Sequence, residues 1–146
     1  MVKEDSNKKV LIIDDEESVL EMLSSFFQLN GYKVDTATDD LSGIRKFRED
    51  PRGVVITDLF MAGRGGFGVI RDLTKEYPNI KIIAMSGGFK PFWLHNNARK
   101  HQALKYAKEF GATKTFSKPV NLDQLLAAAD ALVKDLGDCE LSETSA

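Results

Sequence analysis

Lys8-Lys9-Val10-Leu11-Ile12-Ile13-Asp14-Asp15-Glu16-Glu17 is the stretch from which the rest of the chain is read. Two basic residues lead into four consecutive aliphatics, which end abruptly in four acids. An apolar run without polar alternation suits a strand covered on both faces, the kind found in parallel sheets flanked by helices. Acids at its carboxyl end lie where open α/β sheets place their chemistry. From Ser18 the period becomes helical, through Val19, Leu20, Met22, Leu23, Phe26, Phe27 and Leu29, until Asn30-Gly31 stops it. Strand, acidic turn and helix form the first unit of a βαβ chain.

The same grammar repeats. Lys33 to Ala37 reads as a second strand nearer the sheet edge, followed by a helix through Leu41, Ile44 and Phe47 that Asp39 or Asp40 caps and Pro51 ends. Val54-Val55-Ile56-Thr57 is a third strand running straight into Asp58. Gly63, Gly65, Gly66 and Gly68 then mark a loop, with helix resuming at Val69, Ile70 and Leu73. Ile80 to Met85 gives a fourth strand ended by Ser86-Gly87-Gly88, and an irregular stretch from Phe89 to about Asn97 precedes a fourth helix closed by Gly111. Thr113 to Ser117 is the fifth strand, followed by Lys118-Pro119. Asn121 and Gln124 have capping-box spacing ahead of a last amphipathic helix through Leu122, Leu125, Leu126, Ala129, Leu132 and Val133. Alternation of this kind predicts an α/β, doubly wound, five-stranded parallel sheet in three αβα layers.

Size and charge narrow the function. At 146 residues and 42% hydrophobic content the chain is sized for one core, expected over residues 8–136 with flexible ends at 1–7 and 137–146. A net charge of -2 carries no broad footprint for nucleic acid or anionic lipid. The single cysteine, Cys139, has no internal disulfide partner and no second sulfur for a zinc site. No apolar run reaches membrane-spanning length and the amino terminus lacks a secretory h-region, so a cytoplasmic location is expected.

The predicted fold gathers Asp14 and Asp15, Asp58, Ser86 and Lys118 at one edge of the sheet. Clustered carboxylates repel unless a cation neutralises them, and Mg²⁺ suits one or two carboxylates together with phosphate oxygens. A lysine ammonium and a serine hydroxyl nearby complete a place for a phosphoryl group, with aspartate a competent acceptor.

Taken jointly, these strand ends resemble the receiver domain of two-component response regulators, over roughly Lys9 to Lys134. The resemblance implies a flavodoxin-like sheet with strand order 2-1-3-4-5. It also implies that Asp14 and Asp15 help hold Mg²⁺, that Asp58 is both phosphoacceptor and metal ligand, and that Phe60 lends the metal its backbone carbonyl. By the same resemblance Ser86 bonds the arriving phosphoryl group, Lys118 pairs with it, and the Lys118-Pro119 peptide is cis. The implied partners are a histidine kinase or histidine phosphotransfer protein docking beside the first helix, where Leu20 lies at the margin of the core-facing arc, and a downstream protein or a second copy of the chain. The protein is then a phosphorylated switch rather than a turnover enzyme.

Three features depart from the family pattern. Met61 is followed by Ala62 rather than proline. The switch position three residues before the lysine carries Thr115 instead of an aromatic, with Phe116 beside it. The stretch between Ser86 and Lys118 is about ten residues longer than in the common form, and it carries Phe89, Phe92, Trp93 and Leu94, of which Trp93 is the expected partner contact. Two other readings share the topology: a receiver-like binding module that works without phosphate, and a flavodoxin-like or phosphohydrolase domain. The glycines lack the Gly-Lys-Ser/Thr ending of a phosphate loop, and acids stand where a dinucleotide fold carries its glycine motif.

Overall fold

A computed structural model describes residues 7–61, 63–86 and 97–138. Along them run β1 (Lys9–Ile13), α1 (Glu17–Leu29), β2 (Lys33–Ala37), α2 (Asp40–Glu49), β3 (Val54–Asp58), α3 (Gly65–Glu76), β4 (Lys81–Ser86), α4 (Asn97–Phe110), β5 (Lys114–Ser117) and α5 (Leu122–Asp138). The strands form one parallel sheet in the order β2-β1-β3-β4-β5, the doubly wound order that the resemblance implies. β1 and β3 are buried throughout, whereas the edge strands β2 and β5 are mostly half-exposed, which is why only the central strands read as unbroken aliphatic runs.

Strand alternation sends side chains to two cores. Leu11, Ile13, Val55, Ile82 and Ala84 pack with Phe47 of α2, Ile70 and Leu73 of α3, and Ala107 of α4. Val10, Ile12, Ile56, Ile83 and Met85 pack on the other face with Leu23 and Phe27 of α1 and Leu125, Ala129 and Leu132 of α5. Tyr32 locks the second face by stacking edge-on against Phe27 at 5.1 Å and donating its hydroxyl to Asp130 at 2.6 Å.

Four local features differ from the sequence expectation. In α1 the buried stripe is Leu20, Leu23 and Phe27, so Met22, which shares the apolar period, is half-exposed. The stripe is rotated by less than one residue step of about 100°, which brings Leu20 inside and leaves Leu29 as the exposed margin. α3 begins at Gly65, so three of the loop glycines belong to its first turn. They serve close approach: a Cβ on Gly66 would stand 2.3 Å from the carbonyl oxygen of Asp58, so only a glycine lets the helix rest on the end of β3. α5 continues through Gly137 to Asp138, past the expected end.

The fourth feature is Lys9, a buried cation inside β1 with 3% of its surface exposed. Its ammonium donates to the carbonyl oxygen of Asp50 at 3.0 Å and pairs with the Asp50 carboxylate at 3.2 Å. Asp50 in turn accepts from Arg52, and that hydrogen bond, with the Lys9 contact behind it, holds the Asp50 carboxyl well below the usual aspartate range. A carboxyl depressed in the folded state stabilises above its unfolded value, about 3.8, and that stability is lost as pH falls below it. Chemical denaturation should therefore show stability falling as pH drops below about 4, and Asp50→Ala, which leaves Lys9 buried with only a carbonyl, should cost about 2 kcal/mol at pH 7.

Candidate functional site

Parallel strands deliver their carboxyl ends to one edge, and the register decides which residues meet there. Ile13 pairs with Thr57, Asp58 with Met85, and Ser86 with Ser117. Asp14 therefore follows β1 level with Asp58, Ser86 follows one step on, and Lys118 follows the end of β5 beside Ser86. Main-chain bonds hold the frame: Asp14 N–H donates to Ala37 O at 3.1 Å, Leu59 N–H to Met85 O at 2.9 Å, and Lys118 N–H to Ser86 O at 2.7 Å. The Lys118-Pro119 peptide is cis.

Asp14 and Asp58 are fully buried, Ser86 is 1% exposed and Lys118 is 8% exposed. The Lys118 ammonium donates to Asp14 Oδ2 at 2.7 Å and stands 3.7 Å from Asp58 Oδ1 and 3.8 Å from Glu16 Oε1. Asp14 Oδ1 accepts from the Glu16 amide at 2.9 Å, which turns the chain so that Glu16 faces the same spot. Asp14, Asp15 and Glu16 each present an oxygen within 4.8 Å of the others. Glu16 Oε1 is buried and accepts no hydrogen bond. One lysine thus faces Asp14, Glu16 and Asp58, with Asp15 exposed at the rim. That imbalance favours binding a small, hard cation with oxygen ligands.

The response regulator receiver domain family matches residues 10–130. The chain belongs to that family. The two-component response regulator PprB of Pseudomonas aeruginosa is 31% identical over 137 residues, covering 93% of this chain and 47% of PprB. The first curated relatives are matched over only 54%, 24% and 47% of their length. Among solved structures, a response regulator receiver domain protein from Clostridium thermocellum superposes with a TM-score of 0.77 at 27% identity, covering 88% of this chain and 96% of that one. A CheY-like receiver domain protein from Methanospirillum hungatei shares the fold, with a TM-score of 0.76 at 20% identity and coverage of 89% and 96%.

This receiver domain brings together Asp14, Asp15, Asp58, Ser86 and Lys118, as the sequence predicts. Glu16 is the addition. Its signal was the third place in the acidic run, but only the turn at Asp14 decides that its carboxylate points toward Lys118. Phe60 follows β3 half-buried, its ring edge-on to Phe67 at 6.4 Å.

Thr115, expected at the switch position, pairs with Ala84, on the α4 side of the sheet. Phe116 pairs with Met85 and packs on the opposite face, among residues of α1 and α5. An aromatic one residue away therefore does not replace one at 115. Leu20 requires a correction: at 7% exposure it belongs to the core, and its remaining surface lies in an open groove lined by Glu17, Ser24 and Thr36. Trp93 and Gly88 lie outside the described residues, as do Cys139 and both chain ends. Among the described residues, no helix is long and apolar enough to cross a membrane.

Proposed function

We propose that Asp58 accepts a phosphoryl group from a phosphohistidine of a histidine kinase or histidine phosphotransfer protein, in a Mg²⁺-dependent reaction that makes this receiver domain a protein-binding switch. The observation that carries this reading is a buried lysine held 2.7 Å from Asp14 and 3.7 Å from Asp58 at the carboxyl edge of the sheet. The donor set fits the metal: Asp14, Asp15 and Asp58 with the Phe60 carbonyl are the proposed ligands, and the buried Glu16 oxygen adds to the negative charge a cation would offset. When bound, Mg²⁺ supplies charge neutralisation for the incoming phosphoryl oxygens.

The protein's own groups do the rest. Asp58 attacks phosphorus; the phosphorus–nitrogen bond of the donor breaks as the new oxygen–phosphorus bond forms, and the nitrogen keeps the electron pair. Lys118 exchanges its Asp14 partner for a phosphoryl oxygen and offsets the charge that moves onto this edge. Ser86, one residue beyond the Asp58–Met85 pair, offers its hydroxyl to another oxygen. Hydrolysis of the acyl phosphate by water resets the switch. Output follows from a changed surface, read by a downstream protein or a second copy.

Incubation with a small phosphodonor, followed by intact-mass measurement, tests the reading. It predicts a single Mg²⁺-dependent, acid-stable and base-labile phosphoryl addition; no addition under any donor would leave a binding module that works without phosphate. Asp15→Ala adds a second check. Titration calorimetry should show Mg²⁺ affinity reduced at least about tenfold, with apo stability unchanged or raised by up to about 1 kcal/mol because a like charge has gone. Unaltered affinity would remove Asp15 from the ligand set.

A further inference from the structure

The start of α3, just beyond Asp58, is tied down by a device that the phosphoryl-transfer reading does not use. Arg64 immediately precedes α3, and its guanidinium forms a two-pronged pair with Asp72, Nη1 to Oδ1 at 3.2 Å and Nη2 to Oδ2 at 3.0 Å. The same guanidinium reaches α2, with Nε 3.4 Å from Oδ2 of Asp40, an acid 6% exposed. Asp72 lies eight residues beyond Arg64, so the side chain must run along two turns of α3. Gly68 at the midpoint clears that track: a Cβ there would stand 2.6 Å from Arg64 Cβ and 3.0 Å from its Nε. Arg64, Gly68 and Asp72 recur at intervals of four and share one helix face.

The strap acts next to the acceptor. Gly63 lies against Asp40, since a Cβ on it would come within 3.1 Å of Asp40 Oδ1. At the other end, Leu59 is pinned by its amide to Met85 O and by its carbonyl to the Gly66 amide at 3.1 Å. Gly66 also rests on the Asp58 carbonyl, so a shift of the start of α3 passes directly into the backbone of the acceptor strand. Leu59 thus marks one anchor and Gly63 the other, and Arg64 secures the second.

Resting on the phosphoacceptor reading, we propose that Arg64 is a positioning residue: by clamping Asp40 of α2 to Asp72 of α3 it fixes the start of α3 against Asp58 and Leu59 and so sets how firmly the Phe60 carbonyl is presented to the cation. Its fork is about half-exposed, so its ion pairs contribute little to global stability, and geometry is what it supplies. Gly68 is the permissive half of the device.

Three variants test this: Arg64→Met, which keeps the aliphatic stem and loses the fork; Arg64→Lys, which keeps the charge but cannot reproduce the two-pronged pair; and Gly68→Ala, which pushes Arg64 off its track. Mg²⁺ affinity is read by titration calorimetry, and hydrogen exchange is read at the Gly66 amide in cation-free protein, with the melting temperature as a control. Expected are Mg²⁺ affinity reduced by about tenfold in Arg64→Met, a smaller loss in Arg64→Lys, a loss in Gly68→Ala despite the better helix former, and faster Gly66 exchange in Arg64→Met at an almost unchanged melting temperature. Wild-type affinity together with wild-type Gly66 exchange in Arg64→Met overturns the proposal, as does a lowered melting temperature with both readings unmoved. If the wild-type protein bound no Mg²⁺, the phosphoacceptor reading would fall, while unchanged Gly66 exchange in cation-free Arg64→Met would separately refute the strap.

Discussion

Asp58→Asn is expected to keep the fold and to lose phosphate incorporation down to background. The substitution is nearly isosteric at a fully buried position, so neither strand pairing nor the contact with α3 has to change. An amide is a far poorer nucleophile toward phosphorus than a carboxylate, and the chemistry stops at that atom. Stability should hold, because Lys118 retains its 2.7 Å bond to Asp14 while one of the crowded negative charges disappears. Intact mass after exposure to a phosphodonor, with a denaturation curve on the same sample, separates lost chemistry from lost fold. Undiminished labelling in a folded Asp58→Asn protein would refute Asp58 as the acceptor and direct attention to Asp14 or Glu16.

Lys118→Ala has two effects, and they respond differently to Mg²⁺. Removing the ammonium leaves Asp14, fully buried, without its 2.7 Å donor and leaves Asp58 and Glu16 without the cation that faces them. Breaking a buried pair by deleting one partner costs about 3 kcal/mol, and that is the expected loss in cation-free protein. Added Mg²⁺ should restore part of it, since the divalent ion offsets the same carboxylates. Phosphoryl transfer should not recover with stability. It is expected to stay at least about a hundredfold slow, because a fixed positive group aimed at developing charge is worth about that much. Denaturation with and without Mg²⁺, beside transfer rates measured in saturating Mg²⁺, distinguishes the two. Transfer restored to the wild-type rate by Mg²⁺ alone would show that Lys118 only balances charge in the resting protein.

The chain wrote its topology openly where burial is extreme. Val10 to Ile13, Val54 to Ile56 and Ile82 to Met85 are covered on both faces, so they had to be continuous apolar runs, and helical periodicity between them leaves a doubly wound parallel sheet as the arrangement. Asp58, the acidic pair, Ser86 and Lys118 were legible for a related reason: each stands at the end of such a strand, and parallel strands deliver all those ends to one edge.

What stayed hidden depends on rotation and reach, quantities that neighbouring residues in sequence do not record. The face of α1 that turns inward was set by its packing on β1 and on α5, and a rotation smaller than one residue step exchanged Met22 for Leu20. Lys9 reads as a charge flanking a strand, yet its long aliphatic stem is buried and carries the ammonium to an aspartate 41 residues away. Glu16 joined the site through a turn made by a single side-chain bond, and Arg64 and Gly68, in a stretch that reads as loop, align with Asp72 only because α3 begins at Gly65. Sequence by itself determined which segments are strands and which chemistry stands at their ends, because burial and period leave local marks. Tertiary structure alone decided which charges meet, because a guanidinium or ammonium finds its carboxylate through space at the end of a flexible side chain, and that distance appears only once the backbone is folded.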